Sequence, residues 1–462
     1  MRDKVDVLIN QALIVTMNKD RRIIPRGYIA VRNGVIVDVG AGDGKVKYSS
    51  EEVIEDKHLI VTPGFICAHT HLYGVLLRAS KWFNVIEPPT DFQQNLQRIW
   101  WVVDEAMDYE DAYVSALMAS IEFARTGTTL FKDTFSGPNA IENVLDFIER
   151  GINEVGIRAF ISFEATERRS REEGIRGIKE NERFIIKNNS DPNKLVKGIF
   201  ALHASFTVTD ELMRMTKERA EKYGTPYTMH VEEGLIDVYH NIERYGKRPF
   251  ERFRDVGFLS SRFIAVHTVQ IIDDEIALIK KYGVKVAHNP MSNMLNAVGV
   301  PPIVKMIHAG IPVGLGNDGY IFDVFENMRA AYLLHKVHLR DPRVLTPLEV
   351  IEMSTIKAAE VLGVSDTLGS IEIGKQADIT IIKPEYVPTP VNEETVLGHL
   401  VNTFSGRDVW CVLVKGKFVT KDRKVVNVDV SKAMELAYRT VAKLWDRMIS
   451  MEPKYKIEYL KL

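Results

Sequence analysis

Pro63-Gly64-Phe65-Ile66-Cys67-Ala68-His69-Thr70-His71 is the stretch on which the reading of the chain turns. A short apolar run, introduced by Pro-Gly, ends in two histidines one residue apart. In a strand, residues i and i+2 point the same way. His69 and His71 can therefore hold one ion from a single strand end. Imidazole nitrogens suit zinc, iron and similar divalent metals. A lone His-x-His is a weak signal, because many such pairs sit on surfaces, so its weight depends on the rest of the chain.

The rest of the chain is repetitive. From Gly64 to about residue 360, short apolar runs alternate with longer amphipathic stretches, the pattern of βα units and a parallel sheet. Eight strands are expected, at 64–68, 128–133, 157–163, 197–203, 225–230, 262–267, 284–288 and 311–316, with helical patterns such as 107–126, 138–154, 210–223 and 273–282 between them. Eight such strands fit a closed TIM (β/α)8 barrel; counting alone also admits an open sheet. Polar residues gather at the strand ends. Strand one ends in His69 and His71, strand four in His203, strand five in His230 followed by Glu232 and Glu233, strand six in His267, strand seven in His288, and strand eight runs into Asp318. In a parallel barrel those ends share one face, where the active sites of that fold lie. Three histidines and a carboxylate there can hold one ion, and a bound ion lowers the pKa of a water towards neutrality.

Each residue also has a plainer reading. His203 or His267 alone is more often a core or loop histidine, and Asp318 in Asn-Asp-Gly suits an ordinary turn. Joint placement, with histidines at the ends of five strands and Asp318 after a sixth, favours a site. His335 and His338, on the helical pattern 333–339, are read as a helix face, and Cys67 as packing. Arg168 and Arg169 read equally as an anchor for an anionic or carbonyl group and as part of a solvated charged loop. For a proton-carrying acid after strand five, extended alternation lets Glu232 follow the direction of His230, so spacing leaves Glu232 and Glu233 both open.

The remainder bounds the molecule. Its 462 residues carry 60 Lys and Arg against 62 Asp and Glu, a net charge of −2. That balance disfavours nucleic acid and anionic membrane surfaces as partners. No apolar run approaches 18 residues, so no membrane span is expected. Two cysteines make no disulfide framework, which suggests a cytoplasmic location. Residues 5–60 and the region after 369 have a β texture, with an Asn33-Gly34 hairpin signal. The expected organisation is an accessory β-sandwich-like domain from 1–62 and 369–430, a barrel over 63–368, and a C-terminal helix and tail over 431–462. Met434, Tyr438, Val441, Leu444, Trp445 and Met448 lie at helical spacing and are read as one packed helix face.

Taken together, the motif from Pro63 to His71, Gly127-Thr128-Thr129 with Asp133, His230-Val231-Glu232-Glu233, His288 to Asn293, Gly314 to Gly319, and Gly369 to Asp378 resemble the amidohydrolase superfamily. The closer resemblance is to its cytosine deaminase-like branch, which includes guanine deaminase, methylthioadenosine/S-adenosylhomocysteine deaminase and the triazine (chloro)hydrolases. The segments 100–104, 163–168, 202–207 and 293–299 are most similar to SsnA-type aminohydrolases. The resemblance implies one divalent metal ion, zinc with iron as the alternative, held by His69, His71, His230 and Asp318. It implies Glu233 as the acid that shuttles protons, with His267 and Asp318 as the other catalytic groups. Substrate contacts are expected from His203, Glu164, Arg168, His288 and Ser292. Asn317 departs from a Thr frequent in the family, and the segment 267–270 lacks the Cys and second His of many relatives. Strand four ends in His203 where binuclear relatives carry a bridging Lys or carboxylate, so one ion is expected.

The implied activity is hydrolytic deamination of an amino-substituted, purine-like N-heterocycle, a small-molecule substrate. Opening of a cyclic amide and dechlorination of a triazine are alternatives on the same site. A non-catalytic oligomeric scaffold is the alternative outside enzymes. The resemblance further implies a homo-oligomer, a dimer or tetramer.

Overall fold

The computed structural model describes residues 2–459, with side chains described through Met451. Its architecture is α/β. All eight expected strands form, but two of them arrive in pieces. Strands Phe65–Thr70, Thr128–Asp133, Arg158–Ile161 and Val196–Gly198 lie side by side in one parallel sheet. Glu164–Ala165, Phe200–Ala204, Tyr227–Val231, Phe263–His267, Lys285–His288 and Val313–Leu315 make a second parallel sheet in that order. Strands three and four therefore each begin in one sheet and end in the other. The single continuous runs expected at 157–163 and 197–203 are corrected on this point. In strand three the cause is local: the Asn181 side chain takes the backbone groups of Phe163, accepting from its N–H at 2.6 Å and donating to its carbonyl at 2.8 Å. The ladder loses those two groups and the strand breaks there.

Strand one also meets strand eight. Thr70 and Asp318 form a parallel bridge. The Asn317 N–H donates to the His69 carbonyl at 3.0 Å, and the His71 N–H donates to the Asp318 carbonyl at 3.2 Å. This contact requires glycine at 316, because a Cβ there would lie 2.2 Å from Asn289 Oδ1 and 2.8 Å from the His69 carbonyl. Helices cover the sheets much as the amphipathic stretches predict. Tyr109–Arg125 opens with a reciprocal capping box between Asp108 and Asp111, and Asp210–Tyr223 begins at Thr209, whose side chain caps Leu212 N–H.

Both chain ends build one largely antiparallel sheet. Its order is Lys424–Val425, Lys417–Lys421, Val409–Val414, Ile379–Ile382, Ile60–Pro63, Val7–Val15, Ile23–Arg32 and Val35–Ala41, with Glu52–Glu55 also paired to Val7–Val15. Asn33 and Gly34 have φ of 52° and 76°, both positive as a tight two-residue hairpin demands. The first long strand, Val7–Val15, is interrupted by Gln11 at φ 57° and a register shift between Ile9 and Ala12. The C-terminal helix spans Val430–Tyr459. Leu444 and Met448 are fully buried on it, whereas Tyr438 is 68% exposed, so Tyr438 leaves the packed face assigned to it. Residues 460–462 of the expected tail lie outside the described residues. Among the described residues no helix is long and apolar enough to cross a membrane.

One ion pair ties the terminal sheet to strand three. Arg158 Nε donates to Asp378 Oδ2 at 2.6 Å and its Nη2 to Oδ1 at 3.2 Å, both side chains being largely buried. Asp378 also accepts the Lys415 N–H at 2.8 Å. Arg158→Met leaves that carboxylate buried without its cation, and should lower unfolding stability by about 3 kcal/mol. Urea denaturation checks this; an unchanged midpoint would show that the pair is not a structural tie.

Candidate active site

The strand ends do not stay extended, and this sets the site. Glu232, His267, Thr268 and Asp318 adopt φ of 52°, 73°, 51° and 57°. These are left-handed conformations that non-glycine residues hold only where the surroundings enforce them. Each one re-aims the side chain beside it.

His69, His71, His230 and Asp318 converge. His71 Nε2 lies 3.1 Å from His230 Nε2, and His230 Nε2 lies 3.3 Å from His69 Nε2. Asp318 Oδ1 is 3.1 Å from His69 Nε2 and 3.3 Å from His71 Nε2. Four ligands about 2.1 Å from one tetrahedral ion would stand about 3.4 Å apart. The donor atoms of His69, His230, His267 and Asp318 all lie within 4.8 Å of one another, as do those of an overlapping group, His71, Glu164 and His230.

The hydrogen bonds assign the ring protons. His71 Nδ1 is 2.6 Å from the Thr134 carbonyl, and His230 Nδ1 is 2.9 Å from the His203 carbonyl. A carbonyl only accepts, so each Nδ1 carries the hydrogen and each Nε2 of the neutral ring is a bare lone pair. Burial pushes His230 well below its ordinary pKa and lowers His71, which keeps both rings neutral. Two lone pairs therefore face each other at 3.1 Å, and no hydrogen bond between them is available. A cation between them satisfies both. The donor set thus fits a divalent ion on the chain's own geometry.

Lys132, which no strand-end pattern marks, sits directly behind this set. It is fully buried on strand two, its Nζ 2.8 Å from His69 Nδ1, 2.9 Å from Thr134 Oγ1 and 3.4 Å from Thr228 Oγ1. Burial brings its pKa down to about 8, so a neutral amine that accepts the His69 Nδ1–H is within reach near neutral pH. Its strand, Thr128–Asp133, is buried throughout, and an unpaired cation is not tolerated there.

Glu233 lies on the wall of the chamber in front of the histidines, with His71, Glu164, His203, His230, Asp237 and Asp318. Its Oε2 is 3.3 Å from His267 Nε2, and its Oε1 accepts from Asn296 at 3.1 Å. Burial, then the nearby Asp318, raises its pKa well above the ordinary value. Glu232 turns the other way, into an ion pair with Arg248 at 2.7 Å. Left-handed φ at 232 breaks the alternation that left the two glutamates equivalent. His267 is buried with its Nδ1 2.9 Å from Asn293 Oδ1. Burial works to raise the Asp318 carboxyl, but the facing imidazoles and the Ser292 hydroxyl outweigh it and hold it below the ordinary range.

Of the residues expected to touch substrate, His203 and Glu164 line the chamber, and three others lie elsewhere. Ser292 Oγ donates to Asp318 Oδ2 at 2.5 Å, so it braces that carboxylate. Arg168 donates to Asp104 at 2.8 Å and stacks on Trp101, its charge already matched. His288 is buried behind strand seven with its Nε2 3.0 Å from His335 Nε2. This corrects His288: strand alternation turns it outward, to meet His335 on the helix expected there, while His338 of the same helix stays exposed. Asn317 is buried and donates to the Ile321 carbonyl at 2.9 Å, so the departure from Thr serves the loop after strand eight. Cys67 packs as expected, its thiol pushed up to about 12 by burial. Further chamber residues not singled out are Tyr73, Phe92 and Asp237; their signal is absent from strand-end spacing because they come from loops and helices.

Two of these contacts can be tested by substitution. Lys132→Met should weaken divalent metal affinity by about 10–100-fold in chelator competition; unchanged affinity would remove Lys132 from the support of His69. The His335 pKa is lowered to about 4 by burial. As pH falls below about 6.5 the unfolded chain takes up this proton before the folded one does, so folding stability declines down to about pH 4. The full loss from this residue is about 3 kcal/mol. His335→Leu should flatten that part of the stability profile, measured by denaturant titration at several pH values.

Comparison with known proteins agrees with this geometry. The chain is 31% identical over 452 residues to the 5'-deoxyadenosine deaminase of Methanosarcina mazei, an alignment covering 96% of this chain and all of that one. It is 32% identical over 432 residues to the 5-methylthioadenosine/S-adenosylhomocysteine deaminase of Bacillus cereus strain AH187, covering 93% and 97% of the two chains. A zinc-bound adenosine deaminase from Xanthomonas campestris superposes with a TM-score of 0.88 at 25% identity over 97% of this chain and all of that one. The zinc-complexed atrazine chlorohydrolase TrzN of Arthrobacter aurescens shares the fold, with a TM-score of 0.81 at 22% identity over 94% of this chain and all of that one. Residues 60–419 match the amidohydrolase family, and the chain belongs to that family.

Proposed function

We propose that this protein is a metal-dependent hydrolytic deaminase of a purine-like amino-heterocycle. His69, His71, His230 and Asp318 hold one zinc-type ion in this reading. The observation that carries it is the pair of neutral Nε2 lone pairs of His71 and His230, 3.1 Å apart, beside a buried carboxyl, Glu233, whose pKa is raised well above the ordinary value. The named activities of the relatives at about 30% identity support the same reaction class.

When bound, the ion supplies a water acidic enough to be deprotonated near neutral pH. The residues supply the rest. Asp318 and His267 stand where they can take the proton of the attacking water. Glu233 enters the cycle protonated, because burial disfavours its charged form. It donates to the ring nitrogen next to the carbon under attack. The proton that Asp318 and His267 took from the water passes to the departing amine, and the hydroxyl proton released as the carbonyl forms returns to Glu233. Substrate amine and water become a carbonyl compound and ammonia, and Glu233 ends as it began. His203 and Glu164 face the substrate from the chamber wall.

The same proposal treats residues 63–368 as one closed (β/α)8 barrel, with 1–62 and 369–430 as an accessory β-domain. The hydrogen bonds between His69, His71, Asn317 and Asp318 support closure of strand eight onto strand one. Glu233→Gln should lower kcat for ammonia release by about 100-fold or more with metal content retained. Glu232→Gln, acting on the Arg248 pair, should retain turnover. Assay of ammonia release over aminopurines with both variants decides between the two glutamates; loss of turnover in Glu232→Gln alone would contradict the assignment.

A further inference from the structure

Asn296 joins the acid, the metal-ligating set and a segment that covers the chamber. Its Nδ2 donates to Glu233 Oε1 at 3.1 Å and to Ser292 Oγ at 3.3 Å. Ser292 gives its own hydrogen to Asp318, so towards Asn296 its Oγ can only accept. At the other end of the amide, Asn296 Oδ1 accepts from Asn95 Nδ2 at 2.7 Å.

An asparagine amide has a donor end and an acceptor end, and a half-turn exchanges them. With Nδ2 facing Glu233, Oε1 must accept, and the proton of the neutral acid is carried on Oε2. That oxygen lies 3.3 Å from His267 Nε2, and His267 groups with the donor atoms of His69, His230 and Asp318. With Oδ1 facing Glu233, the acid would give its proton to Asn296 and hold it back from the reaction.

Asn95 reaches this amide from the connection after strand one. Phe92–Asn95 is a single helical turn, begun by Asp91, whose side chain accepts the Gln94 N–H, and it runs on through Leu96–Trp100 into Trp101–Ala106. Leu96–Trp100 is wound as a π-helix, a wider turn found mostly as short bulges and frequently at functional sites. Phe92, Leu96, Trp100 and Trp101 line the chamber. The segment also touches the residue after the acid. A Cβ on Gly234 would lie 2.5 Å from Phe92 Cδ1, so the ring packs directly on the Gly234 backbone.

We propose that Asn95 is a positioning residue. By holding Asn296 Oδ1 it fixes which end of that amide faces Glu233, and so couples the seating of residues 92–100 over the chamber to the orientation of the acid. This rests on the deaminase reading, in which Glu233 is the proton donor. Asn95 does not line the chamber itself; it acts on the acid through Asn296.

The test measures ammonia release from an aminopurine nucleoside by the metal-loaded enzyme, with metal content and urea midpoint recorded for each variant. Asn95→Ala should lower kcat about tenfold and leave KM within about twofold. Asn95→Asp keeps the size of the side chain but offers only acceptors, so it draws Asn296 Nδ2 away from Glu233; it should lose about tenfold more kcat than Asn95→Ala. A packing role would reverse that order, with the near-isosteric Asp milder than Ala, and the reversed order would overturn the proposal. A change confined to KM would also overturn it, by placing Asn95 in substrate binding. In an Asn296→Ala background, Asn95→Ala should change kcat by less than about twofold; a further loss of about tenfold would show Asn95 acting by another route and overturn the coupling. Full turnover in Asn95→Ala would defeat this proposal alone, with deamination intact. No ammonia from any aminopurine with the unaltered, zinc-loaded enzyme would overturn the deaminase reading and this proposal with it.

Discussion

Two neutral imidazoles aimed at each other are the constraint around which this site is arranged. His71 and His230 each give their Nδ1–H to a backbone carbonyl, and their Nε2 atoms meet at 3.1 Å. Water cannot donate to both along that short line, and neither ring can donate to the other. The free energy of leaving such acceptors buried and unmatched is recovered when a cation sits between them. The surrounding features serve that need. Ser292 braces Asp318, Lys132 backs His69, and Asn293 holds His267.

The fold meets this need by ending its strands abruptly. Parallel strands bring distant residues to one face, but strict alternation would turn every second side chain away. Left-handed residues at Glu232, His267, Thr268 and Asp318 break the alternation at three strand ends. At strand five the break sends Glu232 to Arg248 and leaves Glu233 in the chamber. At strand eight it lets Asp318 bond strand one through its backbone while its carboxylate faces the histidines. Such conformations carry strain, and here they coincide with the residues that chemistry requires.

Much of this is legible in the sequence. Alternating apolar runs locate the eight strands, and His69, His71, His230 and Asp318 are recognisable because each ends a strand. The break in strand three is not legible, since Asn181 enters from a helix and no strand-level pattern marks it. Glu232 and Glu233 stay equivalent until the φ at 232 is known. His288 and Ser292 share strand-end or loop placement with true chamber residues, yet one faces a helix and the other a carboxylate. Lys132 escapes notice for the opposite reason, because a lysine within a strand is ordinarily read as solvent-facing.

Calorimetric titration of metal-stripped protein with zinc tests the central claim most directly. The account predicts one equivalent bound per chain, with the His71→Ala and His230→Ala variants each losing that binding step. Two equivalents per chain, or binding that survives both substitutions, would contradict it.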